Sequence, residues 1–376
     1  MIGNQIKTLN INATHIIFIS DIHFGVRRNS EEWQENLKNY FYNFFIPKIR
    51  EIKSTLSKDE KLICINLGDT YDDRKSIDID VSNLSIDIFE DISKEIEVYV
   101  LNGNHDLSKR TNQGNTSLRS IEYIPNIFLI TEPTLLDIVS GSKHTKMIAI
   151  PYLGSNELET QYLAQYSAQT EYALMHTEIS KMKMDNGMLI TKGTDSDIFK
   201  GMILSGHIHR RQESKKVIYI GSPYHTSKGD IGDVKGIYTL NLLTKKLEFT
   251  RNDYSPIYHT LLMDKYAEMS IEERKKFMDN NYNFIIINEE DLPKFKKKFD
   301  IYNLGIGTTA KFVKPVISKQ TLSVNVDENI EYKEKTTSEL INESINDLDV
   351  NEEFKLQLIK TSDQYLKDAE AEIAND

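Results

Sequence analysis

A chain of 376 residues is too long for one small domain, so we expect two or three folded units. The formal net charge of −11 argues against a general polyanion-binding protein, although a local basic surface can still bind nucleic acid. The single cysteine, Cys64, excludes an internal disulfide, and we find neither a signal peptide nor an apolar run near the roughly 20 residues of a membrane span. These features predict a cytoplasmic protein with no membrane partner.

The first half of the chain alternates apolar strands with helices. Ser30 can cap a helix whose aromatic stripe, Trp33 to Phe45, is either core or a subunit interface. Three apolar strands, each ending in a polar loop, are predicted at His15–Ser20, Leu62–Leu67 and Val98–Leu101. This βα repeat implies a sheet with helices on its faces and a ligand site outside the carboxyl ends of the strands.

From Ile127 onwards the pattern changes to short strands, which we expect to be more antiparallel. The predicted fold is therefore α/β (α+β): residues 1–254 form two packed sheets flanked by helices. Residues 255–326, in which Ser270 starts a capping box, form a small α/β domain. Residues 327–376 form an acidic tether and a helical tail, whose apolar stripe packs on a partner protein or on its own domain.

Five polar motifs fall at the ends of predicted strands. We expect these loops to converge on one two-metal phosphoesterase centre, because Asp, His and Asn side chains suit divalent cations such as Mn²⁺ and the absence of nearby Cys disfavours structural zinc. Five of the nine histidines belong to the motifs, which are Asp21-Ile22-His23, Gly68-Asp69, Gly103-Asn104-His105-Asp106, His176 and Gly206-His207-Ile208-His209.

Each motif residue has a predicted role. The metal ligands are Asp69 as the bridge between two cations, Asp21, His23 and His209 on one cation, and Asn104, His176 and His207 on the other. The prediction that His176 is a ligand rests on its position in the sequence alone, and the alternative interpretation is a buried histidine of the core. His105 is expected to stabilise developing charge or protonate the leaving oxygen, and Asp106 to hold the His105 ring by a hydrogen bond. Water is the expected nucleophile.

Basic pairs follow three of the motifs: Arg27-Arg28, Lys109-Arg110 and Arg210-Arg211. Taken alone, each pair is explained as charged side chains of a loop that point into solvent. Their shared relation to the motifs favours contacts with substrate phosphates at the rim of the site.

In these motifs the chain resembles the calcineurin-like metallophosphoesterase superfamily. More narrowly it resembles SbcD-type nuclease subunits of double-strand-break repair complexes, above all their tailed-phage recombination endonuclease members. The resemblance covers roughly residues 16–250 and includes the turn Tyr219-Ile220-Gly221-Ser222-Pro223. It implies Mn²⁺-dependent cleavage of DNA phosphodiesters, as an exonuclease on duplex ends and an endonuclease on single strands.

The resemblance also implies partners. These are DNA and an SbcC-type coiled-coil ATPase, bound by a homodimer within a heterotetramer, in the host cell cytoplasm if the source is viral. By position alone, residues 255–326 would cap the DNA site and residues 327–376 would bind the ATPase.

Three other functions stay open. A phosphoprotein phosphatase is disfavoured because Asp73 stands where those enzymes have Arg, and Asp106 where they have Glu. A small-molecule phosphodiesterase does not explain the second domain and the tail. A non-catalytic adaptor for the ATPase does not explain the complete ligand set.

Overall fold

The computed structural model describes residues 6–109, 115–305, 310–318, 355 and 357–362. Its strands are β1 (Lys7–Asn12), β2 (His15–Ile19), β3 (Leu62–Asn66), β4 (Glu97–Leu101), β5 (Ile127–Ile130), β6 (Thr134–Ser140), β7 (Lys143–Ile150), β8 (Tyr172–His176), β9 (Met202–Gly206), β10 (Gln212–Glu213), β11 (Val217–Tyr219), β12 (Gly236–Asn241), β13 (Lys246–Arg251), β14 (Tyr258–Leu262), β15 (Tyr282–Asn288) and β16 (Phe312–Ser318).

The helices lie mostly between strands of the first half. They are α1 (Val26–Asn29), α2 (Glu31–Tyr40), α3 (Ile46–Thr55), α4 (Ile79–Glu95), α5 (Asn156–Tyr166), α6 (Met263–Glu268), α7 (Ile271–Met278) and α8 (Leu292–Lys296). A π-helical segment, Phe41–Phe45, joins α2 to α3. Within the described ranges, no helix has both the length and the apolar character needed to cross a bilayer.

Two large sheets form the body of the protein. One has the strand order β13-β12-β2-β3-β4-β5 and the other β1-β6-β7-β8-β9-β11-β10. In the first sheet β2 to β5 are parallel and β12 is antiparallel to β2, as expected. The second half is more antiparallel than the first, as expected, because β6 pairs antiparallel with β7, β10 with β11, and β12 with β13. Parallel pairing nevertheless continues through β7, β8, β9 and β11. Parallel neighbours require crossover connections, and α5 supplies the one from β7 to β8.

The strand side chains divide between two apolar layers. Ile16 and Phe18 of β2 point into the core between the two sheets, whereas Ile17 and Ile19 pack under the helices on the outer face. A strand buried on both faces reads as a continuous apolar run rather than an alternating one. This packing confirms the predicted mixed α/β sandwich flanked by helices.

Ser30 caps α2, since its side chain accepts the backbone N–H of Trp33. The aromatic stripe that begins at Trp33 is core: Trp33, Tyr40, Phe41 and Phe45 are all buried in the layer under the helices. Of the two interpretations of this stripe, the structure therefore supports a core.

The strands β14, β15 and β16 form a separate three-stranded parallel sheet with its own apolar core. Ser270 and Glu273 form the predicted capping box at the start of α7. Rings join this module to the rest: Tyr282 is stacked on Trp33 of α2, with centroids 5.8 Å apart, and Tyr258 on Tyr282, with centroids 4.6 Å apart.

By internal contacts the chain divides into residues 1–320 and residues 321–376. In the second unit Lys355 and residues 357–362 are helical. The predicted boundary at 326/327 lies outside the described residues, and the boundary at 254/255 falls between β13 and β14. Both boundaries stay predictions.

Candidate metal centre

All five motifs follow strands whose carboxyl ends meet. Asp21, Asp69 and Asn104 come two to three residues after β2, β3 and β4, which are parallel neighbours. His176 ends β8 and Gly206 ends β9, which are neighbours in the second sheet. The site therefore lies where corresponding edges of the two sheets meet, and the structure brings together all seven predicted ligands.

The backbone of the motif loops is unusual. Four predicted ligands have positive φ angles, namely Asp21 (54°), His23 (51°), Asp69 (52°) and His207 (87°). Left-handed backbone at non-glycine residues costs of order 1–3 kcal/mol each and clusters at functional sites. The loops also touch: a Cβ atom on Gly103 would lie 2.1 Å from Asp69 Oδ1, so only glycine fits there.

One cluster contains Asp21, His23 and His209. The Nε2 atoms of His23 and His209 lie 3.0 Å apart, and His209 Nε2 lies 3.9 Å from Asp21 Oδ1. Burial and then the neighbouring His23 lower the pKa of His209, which favours the neutral ring that a metal requires.

A second cluster contains Asn104, His176 and His207. Asn104 Oδ1 lies 3.1 Å from His176 Nε2 and 2.7 Å from His207 Nδ1. Asp69 connects the two clusters, because its Oδ2 atom lies 3.2 Å from His176 Nε2 and 3.8 Å from His23 Nε2. Its position is that of the predicted bridge.

The tautomer of neutral His176 is set by the chain. Its Nδ1–H donates to the Leu67 carbonyl at 2.8 Å, so Nε2 faces Asp69 and Asn104. Burial opposes protonation, but the Asp69 carboxylate raises the pKa of His176 to about 9. Burial alone would raise the pKa of Asp69, but His176 holds it well below its usual range. His176 is thus both fully buried and directed into the site.

This donor set fits divalent cations. Carboxylate, imidazole and amide oxygen groups converge, and these are donors that divalent cations accept. The oxygens of Asp69 and Asn104 both lie within 3.2 Å of His176 Nε2, and a bound cation would replace any proton on that nitrogen. Asp21, His23 and His209 would hold one cation, Asn104, His176 and His207 the other, with Asp69 between them.

The expected hydrogen bond from Asp106 to the His105 ring was wrong. The Asp106 carboxylate accepts backbone N–H groups of Gly103, Thr70 and Tyr71 at 2.9–3.1 Å. Burial and then the charge of Asp69 raise the pKa of Asp106 to about 6. Asp106 therefore joins the Gly68-Asp69 loop to the Gly103 loop, and its place is structural.

The His105 ring is held by a different group. Its Nδ1 atom lies 2.6 Å from the backbone carbonyl of Asp72, which can only accept, so the neutral ring has Nδ1–H and an unprotonated Nε2. His105 also lines the cleft of about 360 Å³ together with Asp69, His207 and His209. Asp72 was missed as a site residue, although it comes only three residues after Asp69 of the Gly68-Asp69 motif; its carboxylate also lies 3.3 Å from His23 Nδ1.

A buried lysine supports His209. The Lys235 ammonium, on a side chain only 2% exposed, contacts Asp230 at 2.7 Å and Asp233 at 2.9 Å. It also donates to the His209 carbonyl at 2.6 Å, and Ser222 N donates to the same oxygen at 3.0 Å. No sequence signal marked Lys235, because a lysine in a polar loop usually points to solvent.

The basic pairs differ in their surroundings. Arg27 Nε donates to the Thr226 carbonyl, and Arg211 donates to Glu213 and Tyr238 and lies over the Phe249 ring. These two arginines are therefore engaged with protein groups. Arg110 lies outside the described residues.

Comparison with known proteins agrees with this geometry. Residues 14–211, more than half of the chain, match the calcineurin-like phosphoesterase family. The chain is 24% identical over 364 residues to exonuclease subunit 1 of Enterobacteria phage T4, covering 94% of this chain and 99% of that protein. It is 25% identical over 220 residues to the putative phosphoesterase 078R of Invertebrate iridescent virus 3, covering 55% and 56%. Together with the motifs at the strand ends, these matches show that the chain belongs to the calcineurin-like phosphoesterase family.

Proposed function

We propose that this protein is a Mn²⁺-dependent DNA nuclease that hydrolyses phosphodiesters, as an exonuclease on duplex ends and an endonuclease on single strands. The observation that carries the proposal is the convergence of the seven predicted ligands, of which Asp69, Asn104, His207 and His209 line one cleft together with His105. The similarity of nearly the whole chain to a protein named as an exonuclease subunit supports a nucleic-acid substrate and a subunit role.

The residues of the chain would act as follows. When bound, the two cations would neutralise charge on the phosphoryl oxygens and lower the pKa of water, which is their general contribution in phosphoesterases. The Asp72 carbonyl orients the His105 ring so that a protonated Nε2 can donate to the leaving oxygen at the mouth of the cleft. Asp106 keeps the two loops that carry Asp69 and Asn104 at a fixed separation.

The remaining assignments follow the same proposal. A homodimer would bind an SbcC-type coiled-coil ATPase in a recombination and repair complex. Residues 255–326 would cap the DNA site, and residues 327–376 would contact the ATPase. The homodimer and the ATPase partner rest on the resemblance, and the roles of the two segments rest on their position in the sequence. All of these assignments stay predictions.

The first test is cleavage of end-labelled DNA with Mn²⁺ by the full chain and by His105→Ala. We expect the variant to lose about 10²–10⁴-fold in kcat, the usual contribution of a general acid, while calorimetry shows unchanged Mn²⁺ binding because His105 is not a predicted ligand. His144→Ala is the matched control, since His144 is exposed and pairs with Asp137.

A phosphopeptide and a small cyclic nucleotide are included as rival substrates. Release of phosphate from the peptide alone, with intact DNA, would overturn the proposal in favour of a phosphoprotein phosphatase. Equal loss of activity in His105→Ala and His144→Ala would remove the role given to His105.

A further inference from the structure

A second cleft has a volume of about 250 Å³. Three basic residues, Arg74, Lys75 and Arg119, line it together with Ser108. We call it the basic cleft.

The basic cleft is built from the segments that leave the metal centre. Arg74 comes two residues after Asp72, and Ser108 two residues after Asp106. Two residues span at most about 7 Å of chain, so both lie close to the loop that carries His105. A third wall is joined to the same loop, because Ser117 N donates to the Asp106 carbonyl at 2.9 Å. The walls of the basic cleft are therefore tied to the loop that carries His105.

Within the part of the chain that the structure describes, the basic cleft has more cations than carboxylates. Among the described residues, the side chains of Arg74, Lys75 and Arg119 take part in no hydrogen bond or ion pair. The lining carboxylate, Asp73, accepts the backbone N–H of Lys75 at 2.8 Å and so shapes the turn. Three cations thus face one carboxylate, in a chain whose formal net charge is −11.

Unpaired cations grouped in a concave surface attract an anion. Two of the three are arginines, whose planar guanidinium groups match phosphate oxygens in a bidentate way. Of the three basic pairs predicted to contact substrate phosphates, Arg27 and Arg211 are engaged with protein groups instead. The basic cleft supplies cations that the sequence analysis did not predict.

We infer that the basic cleft binds a backbone phosphate of the DNA strand that flanks the scissile phosphodiester on its His105 side. This inference rests on the proposed nuclease function and deepens it. A substrate with one phosphate cannot reach both clefts, whereas a polynucleotide can. The cleft therefore selects polymeric substrates and leaves the chemistry at the metal centre unchanged.

The test compares two double variants of the full chain in Mn²⁺. Arg74→Gln with Arg119→Gln removes two cations from the basic cleft. Arg50→Gln with Lys58→Gln removes the same charge at the far end of β3, where Arg50 pairs with Glu95. Each protein is assayed on a single-stranded oligonucleotide over a range of salt concentrations and on bis(4-nitrophenyl) phosphate, which has one phosphate.

For the basic-cleft variant we expect KM for the oligonucleotide to rise at least about tenfold. The slope of log KM against log salt should fall by about 0.7 for one lost single-strand phosphate contact. Its kcat/KM for bis(4-nitrophenyl) phosphate should stay within about twofold of the unmodified chain, and the control variant should match that chain on both substrates.

Three other results have distinct meanings. An oligonucleotide KM and salt slope equal to those of the control variant would overturn the inference. Equal loss on both substrates would overturn it too, because the arginines would then act on the metal centre. Hydrolysis of bis(4-nitrophenyl) phosphate without any DNA cleavage by the unmodified chain would overturn the nuclease proposal itself, and the inference with it.

Discussion

At the scale of single residues, the site depends on groups that never reach the cleft. Lys235 has all three N–H groups occupied, by Asp230, Asp233 and the carbonyl of His209. Burial alone would raise the pKa of Asp230, but Lys235 lowers it, so Asp230 stays ionised beside its partner. Through its hydrogen bond to the His209 carbonyl oxygen, Lys235 fixes the backbone position from which the His209 side chain starts.

The substitution Lys235→Met leaves Asp230 and Asp233 buried without their cation. Breaking a buried pair in this way costs roughly 3–5 kcal/mol, so the free energy of unfolding in urea should fall by about that amount. In the protein that stays folded, calorimetry should also show weaker Mn²⁺ binding at one of two sites, the one that contains His209.

The control is Lys246→Met, which removes an exposed pair with Glu248 and should change stability by no more than about 0.5 kcal/mol. If Lys235→Met lowers stability but leaves both Mn²⁺ affinities unchanged, then Lys235 does not position His209.

At the scale of elements, the sequence predicted most of the strands. It did not predict the stacked rings of Trp33, Tyr282 and Tyr258, which join the three-stranded module to the two large sheets. The strands β2, β3 and β4 could be predicted from their continuous apolar runs, because both faces of these strands are buried. The stacking partner of Trp33 could not be predicted, since Tyr282, which also stacks on Tyr258, lies more than 200 residues away and such contacts leave no local periodicity.

We expect Trp33→Ala to loosen the three-stranded module. Loss of a buried aromatic ring costs about 3–5 kcal/mol, and here the lost contacts include the stack on Tyr282. Limited proteolysis should then cut faster in residues 252–257, between β13 and β14, than in the unmodified protein. Tyr123→Ala, at a residue 90% exposed, should leave the cleavage rate unchanged. A rate unaffected by Trp33→Ala would mean that other contacts hold the module.

At the scale of the whole molecule, the predicted ligands could be found because topology gathers them. Motifs at the carboxyl ends of parallel strands must meet at one edge, whatever their separation in sequence. The supporting contacts could not be found in this way. The Asp106 carboxylate accepts backbone N–H groups, and Lys235 binds a backbone carbonyl and two buried carboxylates. Both sets of contacts depend on side-chain directions that strand patterns do not encode.

The same topology links the predicted metal binding to both large sheets, because the predicted ligands follow strands of each. After chelation, Mn²⁺ at 100 times its dissociation constant should raise the free energy of unfolding by about 2.7 kcal/mol for each site, seen as a higher Tm in calorimetry. Asp69→Asn changes the residue near both clusters, so it should reduce the Mn²⁺-dependent increase in unfolding free energy at both sites. Asn104→Ala changes a residue of one cluster, so it should reduce that increase at one site. A Tm that does not respond to Mn²⁺, or an equal loss in the two variants, would contradict a bridged pair of cations held between the sheets.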